Sequence, residues 1–296
     1  MSIGLPVYNA GALLAPNLAA VMAQTFEDFE FIICDNASTD GTSDQCRALA
    51  ASDPRVRYHR NDVNIGAAAN HNRVAELARG EYFKWCGHDD LIEPTFIERC
   101  VEVLDADEAK RYVLCFSLLD SVDESGTQVG DPIQSPTFSD PSPQARLRSF
   151  WNAPRMHQVI YSVIRRRELM STGLIAEWYG SDRQTLVELA LLGGFARVDE
   201  VLFHHREHPG RSQYVADKRG WMLANNANGA SELGYWRRVG YLWEIVNRDY
   251  LTPKARLAVA GECTRYAVTR AAHWIPHLGR ELTSAAAHRL RGEEPT

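Results

Sequence analysis

The chain has 296 residues, 45% hydrophobic and 24% charged, the composition of an ordinary globular protein large enough for one sizeable domain or a domain plus an appendage. A net charge of −6 argues against a nucleic-acid partner, because a phosphate backbone is repelled on average. The six cysteines are scattered without a C-x-x-C pair and read as reduced core thiols of a cytoplasmic protein. No basic and apolar leader opens the sequence, and no uncharged run reaches the roughly 18 apolar residues of a membrane span.

In chain order, SIGLPVYN reads as a short apolar strand stopped near Asn9, and GALLAPNLAAVMAQTF carries helical spacing at Leu14, Leu18, Val21 and Met22. FEFIICDN is a continuous apolar strand ending in Asp35, and TDGTSDQCRALAAS a helix opened by Thr39 or Asp40. RVRYHRN is a third strand, GAAANHNRVAELAR a third helix, and YFKWCGHDD a fourth strand ending in two adjacent carboxylates. Strands alternating with helices of this length predict βαβ units on a mostly parallel sheet, an α/β protein with helices on both faces. In such sheets ligands bind beyond the carboxyl ends of the strands. Pro6, Tyr8 and Asn9, then Asp35, then Asn64 and Gly66, then His88, Asp89 and Asp90 all lie at or just past strand ends, so they are expected to converge on one crevice.

Further on, PTFIERCVEVLDA reads as a helix and RYVLCFSLLDSVD as a strand. Residues 121–145, with Pro132, Pro136, Pro141 and Pro143, read as a long loop with little regular structure, suited to a lid or acceptor surface. Residues 156–170 read as strand then helix, and GSDRQTLVELALLG as an amphipathic helix opened by Ser181 or Asp182. FARVDEVLFHHREHPGRSQ is a strand followed by a polar turn, and the chain beyond about 212 is helical and richer in Trp, Tyr and Arg.

The strand-end residues suggest their own chemistry. Asp89 and Asp90 are hard oxygen donors for Mg²⁺ or Mn²⁺, and an ion held by few carboxylates keeps positions open for phosphates. Asp35 can accept hydrogen bonds from a base or a ribose hydroxyl, and the Gly66 turn, preceded by Asn64, lets backbone approach a ligand closely. A plainer reading stands beside each: HDD as a solvated turn with an Asp capping the next helix, Asp35 as a loop acid, Tyr8 as a core aromatic, Asp182 as a helix cap.

SIGLPVYNAGALL, QTFEDFEFIICDNASTDGT, NIGAAANHNR, HDD and GSDRQTLVELALLGGF, in this order and spacing, resemble the family 2 glycosyltransferases, inverting enzymes of the GT-A fold. The resemblance covers residues 2 to about 212 and implies a catalytic domain over 1–212, with 213–296 a helical region for acceptor, dimer or membrane-surface contact. It implies that Pro6, Tyr8 and Asn9 line the base and ribose, that Asp35 binds the base, and that Asp89 and Asp90 touch the ribose and the metal, Asp90 directly. His88 stands where the family's metal motif has its first aspartate. Asp182 would be the general base, with Glu177 or an acid of the 121–145 loop as alternatives. In HHREHPGRS, His208 would ligate the metal and Arg206 or Arg211 would pair with the diphosphate.

The implied activity is transfer of a sugar from a nucleotide-diphospho-sugar, UDP ahead of GDP or dTDP, to a hydroxyl of a glycan, lipid-linked intermediate or metabolite. One sugar would be added per event, since the Q-x-x-R-W motif of processive synthases is missing. Two other classes stay open: a nucleotidyltransferase, against which YNAGALLAPN offers no Lys or Arg, and a non-catalytic sugar-nucleotide module. The C-terminal segment TRYAVTRAAHWIPHLGRELTSAAAHRLRG reads either as a basic amphipathic element at the inner face of a membrane or as a helical cap or homodimer contact, with Pro276 and Gly279 interrupting the helix.

Overall fold

The computed structural model describes residues 1–123, 125–153, 156–178, 180–208 and 234–290. Strands β1 (Ser2–Val7), β2 (Glu30–Asp35), β3 (Val56–Arg60) and β4 (Tyr82–Trp85) alternate with helices α1 (Leu14–Met22), α2 (Thr42–Ser52) and α3 (Ala67–Leu77). They pair in the order β3-β2-β1-β4, all parallel. This is the expected βαβ half, and it sets the carboxyl ends of β1, β2 and β4 along one edge.

The other half is mixed. β5 (Leu91–Ile92), β6 (Tyr112–Val122), β7 (Gln128–Ile133), β8 (Val163–Arg165) and β9 (Gly194–Arg206) extend the sheet as β4-β8-β6-β9-β5, with β7 on β6. Only β6 and β9 are parallel there; β4–β8, β8–β6, β9–β5 and β6–β7 are antiparallel. Around them lie α4 (Phe96–Asp105), α5 (Pro143–Asn152), α6 (Arg166–Met170) and α7 (Asp182–Leu192). The C-terminal region supplies α8 (Gly234–Val246) and α9 (Pro253–Leu290).

Side-chain alternation along the strands builds two cores, one on each face of the sheet. Ile32, Cys34, Phe83 and Trp85 join one, with Phe150, Leu186 and Phe195. Phe31, Ile33, Tyr82 and Cys86 join the other, with Ile3, Leu5, Phe96 and Leu104. All six cysteines are buried and free, which agrees with packing thiols.

Four expectations change. Residues 121–145 are not one loop: β6 turns at Asp123, whose carboxylate accepts from the backbone N–H groups of Ser125 and Thr127, and returns as the exposed β7. QVGDPI has no apolar alternation, so periodicity carries no strand signal there. β9 runs through His204, His205 and Arg206, so these lie in the sheet and only His208 follows it. Helix α7 is not amphipathic: every residue from Gln184 to Leu191 is buried, because α5, the sheet and the C-terminal region all pack on it. Finally, α9 continues through Pro276 and Gly279. Trp274, packed edge-on against Tyr266, holds the helix just before the proline, and alanines 285–287 favour helix beyond it.

Candidate active site

The turns after β1 and β2 are tied to each other. Asn9 N–H donates to Ser38 Oγ (3.0 Å), Thr39 N–H to Asn9 Oδ1 (2.8 Å), Ala10 N–H to Thr42 Oγ1 (3.0 Å) and Gly11 N–H to Asp40 Oδ2 (2.9 Å). Asn9 holds a left-handed conformation (φ 48°), which Asn tolerates better than most residues. Pro6 is buried inside β1, and Tyr8 is 37% exposed, so it is not a core aromatic.

Asp35 is fully buried at the end of β2, and both of its oxygens are engaged. Oδ1 accepts Ser38 N–H (2.9 Å), while Oδ2 accepts Tyr58 OH (2.7 Å), Arg60 Nη1 (2.7 Å) and Ser43 Oγ. Burial alone raises its pKa, but hydrogen bonds from Ser38, Ser43 and Tyr58 outweigh that and bring it from 3.8 to about 2. The folded value is depressed, so the stabilisation is present above the unfolded pKa and is lost as pH falls through the folded one. A shift of this size corresponds to about 2 kcal/mol. The unfolding free energy of wild type minus that of Asp35→Asn, measured in urea, is expected to stay level from pH 7 to about 4 and to fall between about 4 and 2. A difference independent of pH would refute this assignment.

Asn64 and Gly66 sit in a network of asparagines. Asn36 donates to Asn64 Oδ1 (2.7 Å) and accepts from Asn61 Nδ2 (2.8 Å) and Ile65 N–H (2.9 Å); Asn64 Oδ1 also accepts Gly66 N–H (2.9 Å). Gly66 has φ +88°, a conformation open to glycine, and starts α3.

The turn of His88, Asp89 and Asp90 follows β4. Two elements fix it. Asn17, buried in α1, donates to Gly87 O and Asp90 O (both 2.7 Å). From the end of β9, Arg206 donates through Nε to Asp89 O (2.7 Å) and through Nη2 to Leu13 O (3.0 Å), and its N–H reaches Asp90 Oδ1 (3.3 Å). The histidines of β9 and beyond each face an acid: His204 bridges Asp120 (2.6 Å) and Glu93 (2.9 Å), His205 Nδ1 lies 3.3 Å from Asp90 Oδ1, and His208 Nε2 lies 3.1 Å from Asp89 Oδ2. Beneath the turn, Lys84 is buried, with Nζ bonded to Tyr161 O (2.6 Å) and Trp85 O (3.1 Å) and lying over the rings of Phe96 and Phe203. Burial lowers its pKa, while Asp90 pulls it upward. Two neighbouring carboxylates thus lie against the cations Lys84 and Arg206.

A Cβ placed on Gly87 would lie 3.1 Å from both Asp89 Oδ1 and Asp90 Oδ2, so the carboxylates border one space that glycine leaves open. With His208 beside Asp89, the donors are oxygens plus an imidazole, a set that suits Mn²⁺ and, through its oxygens, Mg²⁺. Among the described residues, no three His, Cys, Asp or Glu side chains are arranged to hold an ion by themselves.

Asp182 is the first residue of α7, half-buried; Ser181, not Asp182, occupies the cap position. The segment before it is stitched to α3, since Asn72 Nδ2 donates to Ile175 O (2.9 Å) and Ile175 N–H to Asn72 Oδ1 (3.0 Å). Arg211 and the 212/213 domain boundary lie outside the described residues. Sequence reasoning missed Asn17 and Lys84. Each is a polar residue within an apolar helix or strand pattern, and that is the signal that marks them.

The family model described as "Glycosyl transferase family 2" matches residues 2–169. The chain belongs to glycosyl transferase family 2. The match includes Pro6 through Asp90 and stops short of Asp182, Arg206 and His208. Glycosyltransferase GlyG of Streptococcus pneumoniae is 30% identical over 109 residues, 37% of this chain and 36% of that protein. The chain therefore spans about a third of that relative's length.

Among solved structures, S. aureus TarS 1–349 in complex with UDP-GlcNAc superposes with a TM-score of 0.68 at 16% identity, covering 95% of this chain and 80% of that one. Mannosyltransferase PcManGT from Pyrobaculum calidifontis, in complex with GDP-Man and Mn²⁺, gives 0.52 at 16% identity over 97% and 79%. These likenesses show a shared fold, the GT-A architecture expected from the sequence. Among the described residues no helix is long and apolar enough to cross a membrane.

Proposed function

We propose that the protein is a metal-dependent inverting glycosyltransferase that moves one sugar from a nucleotide-diphospho-sugar to an acceptor hydroxyl. The observation that carries this reading is the Asp89–Asp90 turn at the carboxyl edge of the parallel strands of a family 2 chain, with His208 3.1 Å from Asp89. Family membership favours it over a nucleotidyltransferase, and turnover separates it from a non-catalytic module. UDP is the favoured nucleotide, supported by the TarS complex with UDP-GlcNAc, and the PcManGT complex with Mn²⁺ supports the ion.

In this reading residues 1–212 bind donor and carry the chemistry. Pro6, Tyr8, Asn9 and Asp35 form the nucleoside wall; Asp35, with Oδ1 held by its own turn and Oδ2 by Tyr58 and Arg60 of β3 and Ser43 of α2, shapes that wall. Asn64 and Gly66 supply the close backbone approach, and His88 and Asp89 face the ribose. Asp90, Asp89 and His208 would hold Mg²⁺ or Mn²⁺, which supplies positive charge to the departing diphosphate. Arg206 adds charge there while fixing the turn, with Arg211 assigned to the same role. Asp182 takes the proton of the acceptor hydroxyl as its oxygen bonds to the anomeric carbon. The bond from that carbon to the diphosphate oxygen breaks, and the electron pair leaves with the nucleoside diphosphate.

The helical region 213–296 would serve acceptor, homodimer or peripheral membrane contact in a cytoplasmic enzyme. Leu257, Val268 and Ile275 are exposed on α9 for such a contact, whereas Trp274 is buried.

A thermal-shift panel tests the donor. UDP-sugars with Mn²⁺ are expected to raise the melting temperature more than GDP- or dTDP-sugars, and more than any of them with chelator, because a ligand of the folded state stabilises it by mass action. A GDP-sugar shift exceeding every UDP-sugar shift overturns the UDP assignment.

A further inference from the structure

Helix α7 carries a fully buried carboxylate that the proposed chemistry does not use. Glu188 lies about a turn and a half beyond Asp182 and is 0% exposed. A carboxylate is kept there only if it is paired and hydrogen-bonded. Its cation comes from the C-terminal region, where Arg248 sits between α8 and α9. Arg248 Nη2 donates to Glu188 Oε1 (2.9 Å), and Nε lies 2.8 Å from Oε2 as an ion pair. Tyr250 OH adds a contact to Oε2 at 3.4 Å. Arg248 is itself fixed, since Arg256 donates to Arg248 O (3.1 Å) and Leu251 O (3.2 Å).

The same carboxylate reaches the segment that leads to Asp182. Glu188 Oε1 accepts Gly173 N–H (3.2 Å), and a Cβ at Gly173 would come within 2.9 Å of Arg248 Nη2, so glycine is what lets the three groups meet. Thr185 Oγ donates to Leu174 O (2.7 Å), and Tyr241 OH of α8 donates to Gln184 O (2.9 Å). Asp182 therefore lies between Ile175, pinned to α3, and the first turn of α7, pinned to the C-terminal region.

We infer that the C-terminal helical region is a positioning element for the base: Arg248, through Glu188, sets α7 and the 173–181 segment and thereby the place of Asp182. The inference rests on Asp182 being the base. Arg248 and Glu188 are positioning residues, and small displacements of a base are costly to turnover because reaction needs near-attack geometry.

The test is the full chain with Glu188→Gln and Arg248→Met together. This removes both charges at similar volume and strands neither. Hydrogen–deuterium exchange, which needs no donor, is expected to show protection over 173–183 falling at least about tenfold, with residues 1–90 unchanged. With UDP-GlcNAc and Mn²⁺ as probe, kcat for UDP release is expected to fall at least about tenfold, with KM within about twofold. In an Asp182→Asn background the same pair of substitutions should cost nothing further.

Wild-type kcat in the folded double variant, an equal loss in the Asp182→Asn background, a change in KM alone, or protection lost equally across 1–90 each overturns the inference. Normal turnover by Asp182→Asn alone instead removes the base assignment. The exchange over 173–183 still decides whether Arg248 orders that segment.

Discussion

Asp182→Asn is expected to lower turnover by about 10²- to 10⁴-fold, the range for losing a general base, with donor affinity within about twofold of wild type. Ser181 precedes α7 at the cap position without a capping side-chain hydrogen bond, and Asp182 is the acid of the first turn. An acid in the first turn favours the helix dipole by only about 0.3–1 kcal/mol, so Asn should cost little stability. Thr185, Gln184 and the Asn72–Ile175 pair tie the segment through bonds that do not involve the side chain at 182. Donor binding by calorimetry and turnover by nucleotide release separate the two effects. Near-normal turnover would transfer the role to Glu177 or an acid of the β6–β7 region.

The second large effect is at Asp90. Asp90→Ala is expected to reduce activity at least about 100-fold and to abolish the Mn²⁺-dependent part of the donor-induced thermal shift, since the ion's contribution to a departing diphosphate is several kcal/mol. Excess chelator should do the same to wild type. Asp90 is 3% exposed and close to Arg206 and the buried Lys84, so its removal also leaves positive charge unbalanced. Asp90→Asn, which keeps the shape, separates loss of the ion from loss of the turn. Full activity in excess chelator would rule out the metal mechanism.

Much of the βαβ half was legible because its signals are local. Strand and helix periodicities in the first ninety residues predict parallel βαβ units, and the rule that ligands gather at carboxyl ends places Asn9, Asp35, Gly66 and Asp90 along one edge without any contact being known. Polar segments read less well. QVGDPI forms a strand because β6 offers it a pairing edge, and nothing in its own pattern says so. HHR looked like a turn because charged residues are rare in buried strands, yet each of these histidines has an acid facing it: Glu93 just after β5 and Asp120 of β6 for His204, and Asp90 for His205.

The sequence by itself determined the βαβ half and the residue types at the strand ends, since hydrophobic period and turn chemistry act over a few residues, and its motifs carried the resemblance to family 2. Only the tertiary structure decided which charges offset the Asp89–Asp90 pair and what holds α7. Lys84, Asn17, Arg206 and Arg248 are far apart from their partners in the chain, and a buried charge becomes tolerable only through a partner that folding brings to it.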